Sequence, residues 1–251
     1  MSSIALLSTL IFVAFAILLS RWQKVGLEKD IVIGTVRAAI QLIAVGYILH
    51  FIFNLKSWSL ILIMISVMIT VAVNNARKKG KGFPRIGWRI AVAITSTEVL
   101  TMGLLLTLRI IEPTPQYVIP ISGMIIGNGM VVSGLFLNRL KSELETRRDE
   151  IKVYLGLGAS SKQAISHVMQ SAVKASMLPT VDGLKTVGLV QLPGMMTGMI
   201  VAGADPIEAV RYQILIMYSF TSSAAIIAII MAMLTHGLLF TKAQQFIEYD
   251  V

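Results

Sequence analysis

Residues 118–137 read VIPISGMIIGNGMVVSGLFL, and residues 139–150, which follow after one asparagine, read RLKSELETRRDE. The first stretch is twenty residues without a charge, whereas eight of the twelve in the second are charged. Twenty helical residues rise about 30 Å, the thickness of a bilayer's hydrocarbon core. The junction therefore reads as a helix that leaves lipid for water. A backbone in hydrocarbon must satisfy its own hydrogen bonds, which selects helices. The fold class that follows is all-α and polytopic.

Composition agrees across the chain. It has 251 residues, 55% of them hydrophobic and 14% charged, too few charges to cover a soluble domain that apolar. There is no cysteine, which removes disulfides, thiolate metal sites and cysteine nucleophiles. The net charge of +9 is what basic loops on the cytoplasmic side of a membrane produce, and nucleic-acid binding is not needed to explain it. The N-terminus begins Met1-Ser2-Ser3-Ile4-Ala5, with no basic run before the apolar stretch, and so reads as a span rather than a cleaved signal.

Seven spans are expected, at 4–19, 31–53, 58–73, 90–108, 118–137, 187–204 and 214–234. Breakers separate them at Phe83-Pro84, at Glu112-Pro113-Thr114-Pro115 and at Asp205-Pro206. One set of loops carries Arg21, Lys24 and Lys29, then Arg77, Lys78, Lys79, Lys81 and Arg85, then Arg139, Lys141, Arg147, Arg148, Lys152, Lys162 and Lys174, and finally Lys242. The opposite set carries Lys56, Arg109 and Arg211. The first set is expected in the cytoplasm, which puts the N-terminus outside and the C-terminus inside the plasma (inner) membrane. The layout is a single membrane domain over 1–251, with a cytoplasmic segment at 139–178 between spans five and six.

Within that segment Leu140, Leu144 and Ile151 keep one apolar stripe, and Glu143 and Arg147 are spaced for an i,i+4 pair. Gly156-Leu157-Gly158-Ala159 reads as a break between helices. Ser160-Ser161-Lys162-Gln163 reads as a capping box, the hydroxyl on an orphan amide and Gln163 reaching back. Beyond it Ala164/Ile165, Val168/Met169 and Ala172/Val173 face one way and Lys162, Ser166, His167, Gln170 and Lys174 the other, an amphipathic helix expected to close at Pro179. Such a helix can lie in the headgroups or can pass force from a soluble partner. The pattern Glu150…Leu157-Gly158-Ala159-Ser160…Pro179 resembles the cytoplasmic loop of ABC-transporter permeases, with the proline later than in importers. A phosphate-loop reading of Gly156 to Gln163 fails, because Ser precedes Lys162, Gln follows it and no strand leads into it.

Inside the spans, Glu98 is a carboxylate at bilayer depth, either a cation-pathway residue or the partner of Arg37 or Arg89. Arg37 and Gln41 share a helix face. Pro193 and Gly194 should break the sixth span and free carbonyls. Met195 and Met196 beside them offer thioethers, which suit soft metals and equally fill gaps. Gly123, Gly127, Gly129, Ser133 and Gly134 make one side of the fifth span small, fit for close packing at a seam between two copies, with Asn128 able to hydrogen-bond across it. His50, His167 and His236 are not spaced as a metal cluster, and no nucleophile–base arrangement points to catalysis.

The run Val181-Asp182-Gly183-Leu184-Lys185-Thr186-Val187-Gly188-Leu189-Val190-Gln191-Leu192-Pro193-Gly194-Met195-Met196-Thr197-Gly198 carries a resemblance. With Arg37-Ala38-Ala39-Ile40-Gln41-Leu42 and Gly123-Met124-Ile125-Ile126-Gly127-Asn128-Gly129-Met130, it is similar to the FetB family of ABC-transporter permeases. Gly129 stands where that pattern has Ser. Bacterial members of that family are assigned to iron export and metal ion homeostasis. Plant relatives act in aluminium tolerance, one of them linked to UDP-glucose transport. The resemblance implies a permease subunit that is not itself an enzyme and that pairs with a second copy. ATP and Mg²⁺ would sit on a separate cytosolic ATPase meeting Glu150, Leu157, Gly158, Ala159, Ser160 and Gln163. Glu98, Arg37, Gln41, Asn128, Pro193, Gly194, Met195 and Met196 would be pathway candidates. A permease for a small polar metabolite such as a nucleotide sugar, or a secondary transporter driven by protons through Glu98, stays open beside it.

Overall fold

The structure, a computed structural model, describes residues 8–55, 57–241 and 244–247. Ile4 at the start of the first expected span, and Lys56 and Lys242 of the charge pattern, lie outside the described residues. All regular elements among the described residues are helical. Five helices are long and apolar enough to cross a membrane. The chain divides into two compact units, 1–57 and 58–251.

The first unit is a pair of helices, α1 (Leu10–Trp22) and α2 (Glu28–Leu55). Ser20 fixes their turn: its hydroxyl donates to Glu28 Oε1 at 3.0 Å and accepts the Leu27 amide at 3.2 Å. Glu28 and Asp30 in the first turn of α2 complement its dipole. Nearly every side of α2 exposes apolar side chains, Ile33, Ile40, Leu42, Ile43 and Tyr47 among them. Such a helix needs lipid or protein around it.

The second unit holds α3 (Trp58–Ala76), a 3₁₀ turn (Arg77–Gly80), α4 (Ile86–Thr107), α5 (Pro115–Thr146), α6 (Arg148–Gly156), α7 (Ser161–Ala164), α8 (Ser166–Thr186), α9 (Gly194–Val201) and α10 (Pro206–His236). Helix α5 is its axis, with α3, α4, α8 and α10 packed around it. Named contacts give the register. Asn75 Nδ2 reaches Met130 Sδ at 3.2 Å, and a Cβ on Gly123 would meet Met68, so α3 runs parallel to α5. Tyr117 stacks on Tyr212 and Asn128 bonds the Phe220 carbonyl, so α10 is parallel as well. Arg89 Nε donates to the Leu234 carbonyl at 3.0 Å, which sets α4 antiparallel to α10. Ser171 meets Glu143 and Thr180 meets Asn128, which sets α8 antiparallel to α5.

This register puts the basic turn at 77–81, helices α6 and α7 and the end of α10 at one end of the unit, and Arg109 and Arg211 at the other. The two ends carry the two charge classes read from the sequence.

Two expectations are corrected. The stretch 187–204 is not one spanning helix: α8 ends at Thr186, an irregular segment follows, and α9 is only 8 residues long. Gly188 at φ +85° lets the chain fold back, its amide bonding the Gln191 carbonyl at 2.9 Å, and Pro193 starts the next helix. Pro179 also does not close the preceding helix, since α8 passes through it to Thr186. Proline costs α8 one ladder bond, and packing against both α5 and α10 holds the helix through the defect. The segment 139–178 packs on the bundle. Its second half, α8, returns along the bundle.

Small residues on α5 work inside the chain. A Cβ on Gly129 would stand 2.7 Å from Ile227 Cδ1 and 3.3 Å from Ile94 Cγ1, where α4, α5 and α10 meet. Gly123 faces Met68 and Gly134 faces Lys79, so α3 and its following turn fill part of the side expected at a seam between copies, while nothing stands within 4 Å of a Cβ on Gly127. Gly129→Val should destabilise the protein in detergent by about 1–3 kcal/mol through overpacking. Adding Ile227→Ala should recover part of that loss, measured as the thermal unfolding midpoint.

Candidate functional site

The polar end of the second unit is built on one carboxylate. Glu143, with a side chain only 8% exposed, lies on the last turns of α5. Ser171 Oγ on α8 donates to its Oε1 at 2.8 Å, and Arg147 Nε donates to its Oε2 at 2.7 Å. Arg139 pairs with the same carboxylate and also donates to Ser171 Oγ at 3.1 Å. Arg147 continues to Glu150 at 3.1 Å, and the two acids hold its guanidinium above its ordinary pKa, the Glu143 hydrogen bond first. The i,i+4 pair seen in the sequence is one edge of a network that joins three elements.

Beyond this network α6 ends at Gly156, and Gly158 turns the chain at φ +86°. The expected capping box is present: the Ser160 hydroxyl accepts the Gln163 amide, and the Ser160 amide donates to Gln163 Oε1 at 2.9 Å. Leu140, Leu144, Ile151, Ala164, Ile165, Val168 and Ala172 are all buried in one core continuous with the bundle. The apolar face of the 161–177 stretch is therefore spent on α5 and is not available to lipid headgroups. What remains outside is the turn. Leu157 is 80% exposed and Val153 60%. Beside them a cleft of about 470 Å³ is lined by Tyr154, Leu157, Gly158, Ala159, Gln163 and His167. Leu157, Gly158, Ala159 and Gln163 of the expected coupling set share this cleft. Ser160 caps the helix behind it, and Glu150 lies back along α6 in the ion-pair network.

Halfway down the bundle Asn128 ties three helices. Its Nδ2 donates to the Phe220 carbonyl at 3.0 Å, and its Oδ1 accepts the Thr180 hydroxyl at 3.5 Å. Both ends of its amide therefore bond within the chain. At the end opposite the turn, the irregular segment before α9, the end of α8 and the start of α10 enclose a pocket of about 560 Å³. Pro193, Met196, Met217, Gln213 and Tyr218 line it, with no carboxylate. Met196 thus faces the pocket, whereas Met195 is half-buried and Gly194 exposed outside it. Asp182 and Lys185 form an exposed ion pair at 3.1 Å near this end.

Glu98 lies in α4 at 4% exposure with Ser122 of α5 beside its carboxyl, and among the described residues neither carboxyl oxygen meets a partner in good hydrogen-bond geometry. Arg89 does not pair with it: its guanidinium is taken by the Leu234 and Pro84 carbonyls, each at 3.0 Å. Arg37 and Gln41 are exposed one turn apart on α2, in the other unit. Among the described residues no three His, Asp or Glu side chains are grouped to hold a metal ion.

The sequence matches the model of an uncharacterised protein family, UPF0014, over residues 3–240. The chain belongs to the UPF0014 family. It is 50% identical to the UPF0014 membrane protein YjkA of Bacillus subtilis over 98% of both chains. It is 41% identical to a protein of Escherichia coli named "Probable iron export permease protein FetB", over 95% of this chain and 92% of that one. It is 35% identical to the protein ALUMINUM SENSITIVE 3 of Arabidopsis thaliana, over 95% of this chain and 87% of the other. No solved structure matches it. This UPF0014 protein is an integral membrane protein whose named relatives include a permease, and the resemblance carried by residues 181–198 stands.

Several functional features of this UPF0014 chain escaped sequence reading. Ser171 is 28 residues from Glu143 and Phe220 is 92 from Asn128, so no local pattern joins them. His167 was visible only as a polar-face helix residue, and Tyr154 carried no signal. Glu143→Ala should cost about 1.5 kcal/mol of stability, since hydrogen bonds to a charged group are lost but the arginines stay solvated. Glu145→Ala, an exposed acid on the same helix, should change the unfolding midpoint by less than about 0.5 kcal/mol equivalent.

Proposed function

We propose that this protein is the membrane permease subunit of an ABC transporter, with ATP and Mg²⁺ bound and hydrolysed on a separate cytosolic ATPase. The observation that carries this reading is the turn at Gly158. It presents an apolar ridge, Val153 and Leu157, beside an open cleft, on a hairpin locked to α5 and α8 through Glu143. An exposed apolar tip on a rigid base is what a protein partner can grip, and it has no use in water on its own. The FetB relative, named a permease for iron export, supports iron or another metal ion as cargo. A small polar metabolite such as a nucleotide sugar is the alternative.

In this reading the chain crosses the membrane seven times, through α1, α2, α3, α4, α5, α8 and α10. The sixth crossing is α8 instead of 187–204, and α9 with its irregular approach dips in from the far face. The basic ends face the cytoplasm of the plasma membrane, which leaves the N-terminus outside and the C-terminus inside. Two copies are expected to work together, with cargo passing between them.

A purified chain carrying Leu157→Asp should insert normally yet lose at least about tenfold in affinity for its ATPase, as loss of a central apolar anchor does. Unchanged capture of the ATPase by co-purification would count against the reading. Reconstituted with the ATPase, the wild type should move ferrous iron, ferric iron, another metal or a nucleotide sugar only with ATP.

A second reading rests on Glu98, a buried carboxyl without a partner. A proton-coupled secondary transporter predicts flux by the chain alone in liposomes under a pH gradient, lost in Glu98→Gln. Flux that requires ATP and survives Glu98→Gln decides for the first reading.

A further inference from the structure

Helix α3 carries an exposed row spaced by four residues: Ile63, Val67, Val71, Asn75 and, in the 3₁₀ turn that follows, Lys79. Residues four apart lie one above the other on a helix surface. The row is apolar through Val71, then amide, then cation, over a rise of about 25 Å. One leaflet with its headgroups is about half of a bilayer roughly 40–45 Å thick. The row thus has the length of a phospholipid and its order of polarity, from tail to head.

Two grooves follow this row. Along Ile63, Val67 and Val71 runs an open apolar groove of about 400 Å³. Above it lies a groove of about 280 Å³ between α3 and α5. Met130, Val131 and Leu135 form the apolar part of that upper groove, and Asn75, Lys79 and Asn138 its polar part. A Cβ on Gly134 would stand 3.7 Å from Lys79 Cγ, so the lysine stem lies against the α5 backbone. Asn75 spends one amide hydrogen on Met130 Sδ and keeps the second. Asn138 is exposed. Helix α3 turns polar at Asn74 and α5 at Asn138, so the polar part of the groove sits at headgroup depth.

Charge selects the occupant. The chain has no acid from residue 31 to residue 97, a stretch that holds Arg77, Lys78, Lys79, Lys81, Arg85 and Arg89. Helix α5 has no acid before Glu143, whose carboxylate is already held by Arg139, Arg147 and Ser171. Lys79 forms no ion pair with any described residue. A phosphodiester answers the ammonium and the two amides together. A zwitterionic headgroup would add its own cation to a surface that has no acid to meet it. A second copy lying in the membrane in the same sense would bring its basic end to this level, like charge against like.

We infer that the α3–α5 groove binds one anionic phospholipid, with its phosphate at Lys79 and Asn138 and a chain along Val71, Val67 and Ile63. The site is distinct from the Gly158 cleft and from the pocket of Met196. It follows from where α3 and α5 leave their apolar stretches and does not depend on the cargo or on an ATPase.

Native mass spectrometry of the full chain in detergent tests it, with phosphatidylglycerol and phosphatidylcholine of the same chains titrated separately. The first phosphatidylglycerol should bind at least about fivefold more tightly than phosphatidylcholine, as one lysine at a membrane surface provides. Lys79→Ala should remove that preference, and Lys79→Arg should restore it. Lys78→Ala removes the same charge from the same turn but outside the groove, and should change the affinity by less than about twofold. Lys79 is exposed, so its variants should unfold at the wild-type midpoint. Equal binding of the two lipids would overturn the site. So would equal losses in Lys78→Ala and Lys79→Ala, which mark a diffuse basic surface. Displacement by glycerol phosphate at the lipid's own concentration, or a dimer that forms only without lipid, would overturn it as well, the first because chains are then not needed and the second because a copy of the chain then fills the groove.

Discussion

Helix α5 is longer than the bilayer is thick. Its 32 residues span about 48 Å, against a hydrocarbon core of about 30 Å. One end must therefore project, and the chain puts its charges there: Arg139, Lys141, Glu143 and Glu145 all lie on the last turns. Everything else in the second unit is placed by that rod. Helices α3, α4, α8 and α10 lie along its buried length, and α6 and α7 fold back from its projecting end. The core follows the rod without interruption, from Ile126 at mid-depth to Leu144 and Ile151 beyond the apolar stretch. Membrane part and polar part are one packed body.

That continuity explains which parts of the fold were legible. Hydropathy reports where a helix meets lipid, and α3, α4, α5 and α10 were found for that reason. Helix α8 lies between α5 and α10, so it can carry Ser171, Lys174, Ser176 and Thr180 and still pack along the bundle. A window that counts apolar residues passes over it and settles on 187–204, which is apolar but interrupted by Gly188, Pro193 and Gly194. Local chemistry was legible: the capping box of Ser160 and Gln163 and the glycine turn at Gly158 depend only on neighbours in sequence. Pairings such as Glu143 with Ser171 depend on register between helices, and no spacing rule reaches that far. The exposed cleft beside Leu157 was legible only as a pattern of helix, glycine and helix.

Polar groups in the bundle sort by whether they are satisfied. Asn128 uses both ends of its amide, on Phe220 and Thr180. A satisfied amide at depth holds helices together and contributes on the order of 1 kcal/mol. Asn128 thus pins the α5–α8–α10 contact. Glu98 has no such partners. Leaving a buried acid unpaired costs more than any packing advantage of a carboxyl over a methionine or leucine of similar size. The distinction could not be drawn before the partners of each group were known.

The mechanical consequence concerns α8. Glu143 binds α5 and α8 at the level of Ser171, so a load applied at the Gly158 turn reaches both helices through one carboxylate. Helix α5 is uninterrupted from there to Pro120 near its far end. Helix α8 instead loses a ladder bond at Pro179, just before its second tie at Thr180, and then runs into the irregular segment that walls the pocket containing Met196 and Gln213. The two helices share an origin and differ in stiffness. A displacement at the turn would be carried rigidly by α5 and taken up as bending by α8 below Pro179, where the pocket wall is made. If the proposed ATPase grips the turn, this difference in stiffness is how its motion would arrive at the far face as a change in pocket shape instead of a rocking of the whole bundle.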